Sequence, residues 1–373
     1  MISTYDVAII GLGSMGSFAA MELARRGASV IGFDQFAPPH SFGSHGGQSR
    51  IFRVAYPEGS SYVPMAQRSG ELWDELGDQC GTRLLHRTGM LYMGVPGEPF
   101  LDDIDESARS HGLALEKLSA AEVRQQFPAF QIPDHFAGFF DPQAGWIDVD
   151  AAIGEAQSRG GEVVVNTPVT AWHADGAGVR VVTTDREVKA SKLIVTAGAW
   201  ASRLLAELNL PLIVRRKVLT WFEPLAPGFF EDAPVFTFPE NWLYGFPNVG
   251  GRGVKLAEHL GGLDLPEPSE ADIEPIRATV SKYMPQLTGA RLLWAINCLY
   301  TLTPDENFIV DFHPAHQQVI VAAGFSGHGF KFAPLMGVVL ADLALRGATD
   351  IPIGFLGLSR FLSMSTGRGT PIA

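Results

Sequence analysis

The chain has 373 residues, 46% of them hydrophobic, and a formal net charge of −12 at pH 7. That length allows two or three domains with real cores, and the acidic balance argues against electrostatic attraction to nucleic acid or to an anionic membrane. Two cysteines, Cys80 and Cys298, are too few for a disulfide framework, and no Cys and His spacing resembles a zinc site, so no metal is expected.

The N-terminus enters a strand directly, Tyr5-Asp-Val-Ala-Ile-Ile10, without a basic and apolar leader. No uninterrupted apolar run is long enough to span a bilayer, and a cytoplasmic protein is expected. The strand feeds Gly11-Leu-Gly13-Ser14-Met15-Gly16 and then a helical Phe18 to Arg26. Glycines at that spacing let the backbone turn tightly, approach a pyrophosphate and aim a helix N-terminus at it. A second apolar run, Ala28 to Phe33, ends in Asp34, where a carboxylate would bond ribose hydroxyls and disfavour a 2′-phosphate. A dinucleotide site is expected; FAD and NAD are equally compatible with these residues.

Gln35 to Ser49, with two prolines, two histidines and several glycines, reads as a long functional loop. Helical spacing follows over Tyr62 to Leu76, a strand over Leu84 to Gly94, and helices over Glu98 to His111 and Ser119 to Phe127. The last of these opens on a Ser-Ala-Ala-Glu capping box. Asp148 to Arg159 is helical. Glu162 to Asn166, Val169 to Ala174, Gly178 to Thr183 and Lys192 to Gly198 read as short strands, a meander returning to a parallel sheet. Val214 to Glu223, Val235 to Phe246 and Gly253 to Leu256 are strand-like and aromatic, and Ile273 to Tyr283 is helical. Strands over Leu292 to Leu302, Phe308 to Phe312 and Val319 to Ala323 precede a closing helix, Pro334 to Arg346.

This order predicts an α/β protein: a Rossmann-type dinucleotide-binding domain (1–83, 147–213 and 290–373), the FAD-binding domain if the dinucleotide is FAD, interleaved with an antiparallel-sheet substrate domain (84–146 and 214–289). Trp221, Phe222, Phe236, Phe238, Trp242, Tyr244 and Phe246 are either sheet core or pocket lining; Tyr244, just ahead of the Gly245-Phe-Pro turn, is assigned to the pocket.

Several long segments carry a resemblance. They are Gly11 to Gly16, Gly43-Ser44-His45-Gly-Gly-Gln-Ser-Arg50 with Arg53-Val-Ala-Tyr56, Tyr62-Val-Pro-Met65, Tyr244-Gly-Phe-Pro247 and Lys255 with His259. Cys298-Leu-Tyr300-Thr, Pro304 to Asp311 and Gly324-Phe-Ser-Gly327-His-Gly329-Phe330-Lys331 complete the set. Together they resemble the monomeric sarcosine oxidase and N-methyltryptophan oxidase family over nearly the whole chain.

The resemblance implies one FAD, joined through its 8α-methyl group to Cys298, and oxidation of an N-methyl or other secondary amino acid with oxygen reduced to hydrogen peroxide. It implies that Lys255 activates oxygen, that Arg50 lies near the flavin ring, and that Arg53 and Lys331 bind the substrate carboxylate. Tyr244 is placed at the substrate, and His259 and Tyr300 are expected to be catalytic, with Tyr300 facing the substrate. Gly11, Gly13, Ser14, Met15, Gly16, Asp34, Gln35, Ser44, His45, Val169, Gly198, Gly327, Gly329, Phe330 and Lys331 are placed at the cofactor, and a monomer is expected. A planar guanidinium beside an ammonium suits a carboxylate, and fixed cations suit a reduced flavin anion. Alternatives are a dehydrogenase of the same fold with a non-oxygen acceptor and a non-catalytic flavin-binding sensor.

The chain departs from the family at Gly46-Gly47-Gln48-Ser49, where a second histidine and an acid are usual, and at Val54, where a histidine is usual. Cys80 has no assigned role.

Overall fold

The computed structural model describes residues 3–56, 59–226, 228–261 and 267–362. They form two compact units, one of Met1–Ser44, Ile153–Val214 and Tyr300–Ala373, the other of His45–Ala152 and Arg215–Leu299. Residues 45–83, 147–152 and 290–299, expected with the FAD-binding part, fall in the second unit. The physical reason for the first of these is a strand the sequence reading missed: Ser49–Phe52 pairs antiparallel with Gly145–Asp148.

In the first unit, Thr4–Ile10 runs parallel between Val30–Phe33 and Glu187–Val195, with Glu162–Val164 beyond the former and His316–Ala323 beyond the latter. Val7 to Ile10 and the whole of Val30–Phe33 are buried, as a parallel sheet covered on both faces requires. Val169–Asp175 and Gly178–Thr183 form the expected antiparallel meander onto Glu187–Val195, and Ile309–His313 pairs antiparallel with His316–Ala323. The helices Ser14–Arg25 and Ala333–Arg346 meet at Gly337, where a Cβ would stand 2.7 Å from the Phe18 carbonyl. Arg26 fastens this contact, reaching Glu22 and Asp342 at 2.7 Å each.

The second unit is built on one eight-stranded sheet, in the order Leu292–Leu302, Ile213–Phe222, Val254–Glu258, Leu243–Phe246, Val235–Thr237, Met90–Gly94, Ala137–Asp141, Glu116–Ser119. From Ile213–Phe222 onward the pairings are antiparallel, except that Val235–Thr237 lies parallel to Met90–Gly94. Because neighbours in register share a face, Trp221, Lys255 and Phe246 lie side by side, with Leu219, Ala257 and Tyr244 one step along. The opposite face carries Phe222, Leu256, Phe236 and Leu91 into a core with Ile273, Ile276 and Val280 of the helix Glu270–Tyr283. The aromatics therefore divide: Phe222, Phe236 and Phe238 are core, whereas Trp221 and Phe246 flank Lys255, and Trp242 and Tyr244 are half-buried.

Local signals translated faithfully. Ser119 caps Ala120–Gln126 with the reciprocal Ser119 and Glu122 bonds of a capping box. Val235 to Phe246, read as one strand, is instead two, because Asn241 and Trp242 adopt left-handed backbone between them (φ +49 each).

Candidate active site

The glycine loop of the first unit is shaped by what its glycines allow. Gly11 lies at φ +95, where an added Cβ would stand 2.5 Å from the Thr196 carbonyl, and a Cβ on Gly16 would overlap the Gly11 carbonyl. The loop carbonyls are occupied from within: Thr196 Oγ1 donates to Gly11 O (2.6 Å), while Ser17 Oγ (2.6 Å) and Gln157 Nε2 (3.2 Å) donate to Leu12 O. Helix Ser14–Arg25 has no side-chain cap at Gly13 and no acid in its first turn, so the N–H ends of Ser14 and Met15 and the positive end of the helix are suited to a phosphate. Asp34 is buried at the end of Val30–Phe33 and accepts from the backbone N–H groups of Leu12 (2.8 Å) and Phe36 (2.9 Å), one on each oxygen. Each oxygen keeps a second lone pair for a ribose hydroxyl. This cradle fits a dinucleotide such as FAD.

Gln35 and Val169 are half-buried, Ser44 is exposed, and Gly198 has φ +50 with open space where a Cβ would go.

The segment Gly324 to Lys331 folds back on Tyr300 to Thr303. Ser326 N–H donates to Thr301 O (3.0 Å), Ser326 Oγ accepts from Thr303 N–H (3.2 Å), and the buried Tyr300 ring lies so close to Gly327 that any Cβ there would overlap it. Gly329 lies equally close to Phe325, where a Cβ would stand 2.6 Å from the Phe325 Cβ. His328 is buried, with Nε2 3.0 Å from Glu306 O. Lys331, also buried and flanked by Phe330 and Phe332, donates to His328 O (2.8 Å).

The second unit gathers three of the predicted residues. Cys298 is 1% exposed, and Arg50 Nη2 lies 3.4 Å from its sulfur while Arg50 Nη1 donates to Ser49 O (2.7 Å). Lys255 is 2% exposed and its ammonium donates to Gly47 O (2.9 Å), Ser49 O (2.8 Å) and Ser49 Oγ (3.1 Å). The Phe246 ring centroid stands 4.4 Å from its nitrogen and that of Trp221 5.5 Å. Burial first, then the Arg50 guanidinium, pushes the Lys255 pKa well below the ordinary lysine range, against the opposing influence of Cys298 and Asp150. The result is a desolvated amine held by three acceptors, in a cluster that includes the Arg50 guanidinium at the Cys298 sulfur.

Arg53, just past the strand Ser49–Phe52, is half-buried; its Nη1 donates to Ala55 O (3.1 Å) and its guanidinium lies 4.6 Å from the Tyr56 ring centroid. His259 is half-buried and stacks on Trp242 (5.6 Å, 20° between planes), one register step beyond Tyr244. His45 is buried. Cys80 is the last residue of the helix Val63–Cys80.

Gly47 and Ser49 carry no site role in the sequence reading, which leaves the flanking Trp221 and Phe246 open between core and pocket lining. Their alternation along neighbouring strands was visible, but the register that sets them around Lys255 is not.

Residues 6–343 match the family described as FAD dependent oxidoreductase (DAO). The chain is 38% identical to a monomeric sarcosine oxidase from Bacillus sp. (strain B-0618), over 96% of this chain and 97% of that protein. It is 36% identical to an N-methyl-L-tryptophan oxidase from Yersinia pestis (strain Pestoides F), over 96% and 99%. Among solved structures it shares its fold with L-proline dehydrogenase from P. horikoshii (TM-score 0.86, 22% identity, 98% and 99% covered) and glycine oxidase from Geobacillus kaustophilus (TM-score 0.83, 21% identity, 99% and 100% covered). A glycine cradle suited to a dinucleotide, a match spanning most of the chain, and relatives aligned nearly end to end agree: this protein belongs to the FAD dependent oxidoreductase family.

Proposed function

We propose that the chain is an FAD-dependent oxidase of N-methyl or other secondary amino acids, acting as a cytoplasmic monomer. The observation that carries this reading is the buried, hydrogen-bonded Lys255 together with Arg50 and Cys298. When bound, FAD supplies the two-electron acceptor that takes a hydride from the carbon beside the substrate nitrogen and passes the electrons to oxygen, giving hydrogen peroxide.

The residues of the chain have separable tasks in this reading. Gly11 to Gly16 and Asp34 hold the dinucleotide end, and Cys298 carries the flavin through a thioether to its 8α carbon. Arg50, which holds the Cys298 sulfur by one N–H, and Lys255 supply positive charge that does not have to reorganise as negative charge develops. In a site from which water is excluded such charge acts far more strongly than at the surface. Arg53 and Lys331 bind the substrate carboxylate, one as a planar fork and the other as a point charge. Tyr244, His259 and Tyr300 shape the space for the amine and its side chain.

Both relatives named above are oxidases of N-methyl amino acids by their names, sarcosine in one and N-methyl-L-tryptophan in the other, which supports the substrate class. The test is peroxide release from a panel of N-alkyl amino acids, ranked by kcat/KM, together with anaerobic bleaching of the flavin by the same compounds. A flavin-loaded protein that no secondary amino acid bleaches would refute this reading. Bleaching without peroxide would make it a dehydrogenase.

A further inference from the structure

Ser49 N–H donates to Gly47 O at 2.8 Å, closing a three-residue turn with Gln48 at its centre, and Gln48 has φ +67. A γ-turn with a left-handed centre is rare and strained, and a non-glycine residue there is a marker of function rather than of stability. Gly47 is also left-handed, at φ +88, and a Cβ on it would stand 2.5 Å from Leu219 Cδ1 and 3.2 Å from Trp221. Val149 N–H takes the Gln48 carbonyl (2.9 Å), so the turn is pinned on its other side.

We propose that the Gly47-Gln48 turn is a positioning device for Lys255: it brings two backbone carbonyls and one hydroxyl onto a single buried ammonium. The assignment of Lys255 to the oxygen step rests on the function proposed above; the positioning does not.

Two oxygens at 2.9 and 2.8 Å from one nitrogen are closer together than positions two residues apart in a flat strand, about 6.6 Å at the usual rise. The turn removes that difference. Its three acceptors, Gly47 O, Ser49 O and Ser49 Oγ, match the three N–H donors of an ammonium. The Ser49 hydroxyl can accept from an ammonium or donate to a neutral amine, whereas the two carbonyl dipoles aimed at the nitrogen favour the charged form. Acting on the same nitrogen are the Arg50 guanidinium, which opposes the charge, Cys298 and Asp150, which favour it, and the Phe246 and Trp221 rings. The turn thus supports, with dipoles alone, a charge that burial would otherwise remove.

The test is nuclear magnetic resonance titration of isotope-labelled lysine side chains in the flavin-loaded protein, with the Lys255 signal identified by its loss in Lys255→Met. Gln48→Gly permits the turn without strain and is expected to keep the wild-type Lys255 midpoint. Gln48→Val, β-branched where φ is positive, and Gly47→Ala, without room for its methyl, are expected to lower it by about one unit or more, the size of shift a lost set of hydrogen bonds gives. Ser49→Ala, which keeps both carbonyls, should lower it by less. The pH profile of flavin reoxidation should move with the midpoint.

An unchanged or raised midpoint in folded Gln48→Val and Gly47→Ala overturns the proposal. Should both fail to fold, the wild type still decides: hydrogen-bond scalar couplings from Lys255 Nζ to the Gly47 and Ser49 carbonyl carbons are expected, and their absence overturns it. Normal reoxidation in Lys255→Met would instead remove the oxygen role and leave the positioning result standing.

Discussion

Replacing Lys255 by Met removes one buried charge and little else. The side chain keeps its apolar reach between Phe246 and Trp221, and two of the three acceptors it leaves behind keep a partner. Gly47 O still accepts from Ser49 N–H, and Ser49 O still accepts from Arg50 Nη1 (2.7 Å). The penalty for orphaned polar groups is therefore confined to the Ser49 hydroxyl. The loss at the oxygen step is that of one preorganised electrostatic contact, ~2.7–4 kcal/mol, or a hundred-fold to nearly a thousand-fold in rate. Oxidation of the amine precedes the build-up of negative charge on oxygen, so anaerobic reduction by substrate should stay within about ten-fold of wild type.

Stopped-flow absorbance separates the two half-reactions. Stability provides an independent reading. The Lys255 pKa in the folded chain lies below its unfolded value, so between the two the unfolded state binds more protons and wild-type stability rises with pH, reaching its full value above the unfolded pKa. Below the folded pKa the full penalty of burying the charge applies. Lys255→Met should lack that slope and unfold at no lower a temperature than wild type at neutral pH. Unaffected reoxidation together with collapsed reduction would refute the reasoning and pass the oxygen role to another cation, Arg50 first.

Acid-precipitated wild-type protein should stay yellow, whereas Cys298→Ser should release its FAD on denaturation; a yellow wild-type supernatant removes the thioether. Arg53→Ala or Lys331→Ala should weaken carboxylic acid inhibitors at least ten-fold, within the ~2–5 kcal/mol of losing one charged partner at a desolvated site, with flavin content preserved. Unchanged inhibition in both variants would move the carboxylate site elsewhere. Arg26→Ala removes the guanidinium shared by Glu22 and Asp342, which keep Arg25 and Thr349 respectively, and should cost about 2 kcal/mol, the size of a lost charged hydrogen bond, by thermal or urea unfolding. Both carboxyl pKa values lie below the ordinary range, Glu22 through Arg25 and Arg26 and Asp342 through Arg26 and Thr349, overcoming burial. Their contribution is thus present at neutral pH and lost as pH falls through the folded values, and the variant should show a flatter acid limb.

Much of this protein was legible because its signals are local. A strand, a glycine spacing, a helix and Asp34 follow one another within thirty residues, and each needs only its neighbours to take the conformation that suits a dinucleotide. The Ser119 and Glu122 capping box, the meander over 169–195 and the glycine-rich run from Gly324 to Lys331 are of the same kind. Long motifs carried the rest, since Cys298, Lys255, Arg53 and Lys331 were found by their surroundings in sequence rather than by any periodicity. What the tertiary structure alone decided is where those side chains point and what they touch. The strand Ser49–Phe52 is short and half polar, and it exists because Gly145–Asp148, almost a hundred residues on, pairs with it. Lys255 has its acceptors more than two hundred residues away, and Arg50 meets Cys298 across a similar distance. Strand pairing and burial join residues whose separation along the chain carries no record of the contact. The environment of Lys255, desolvated and facing a left-handed turn at Gln48, is therefore a property of the folded molecule and not of any segment of it.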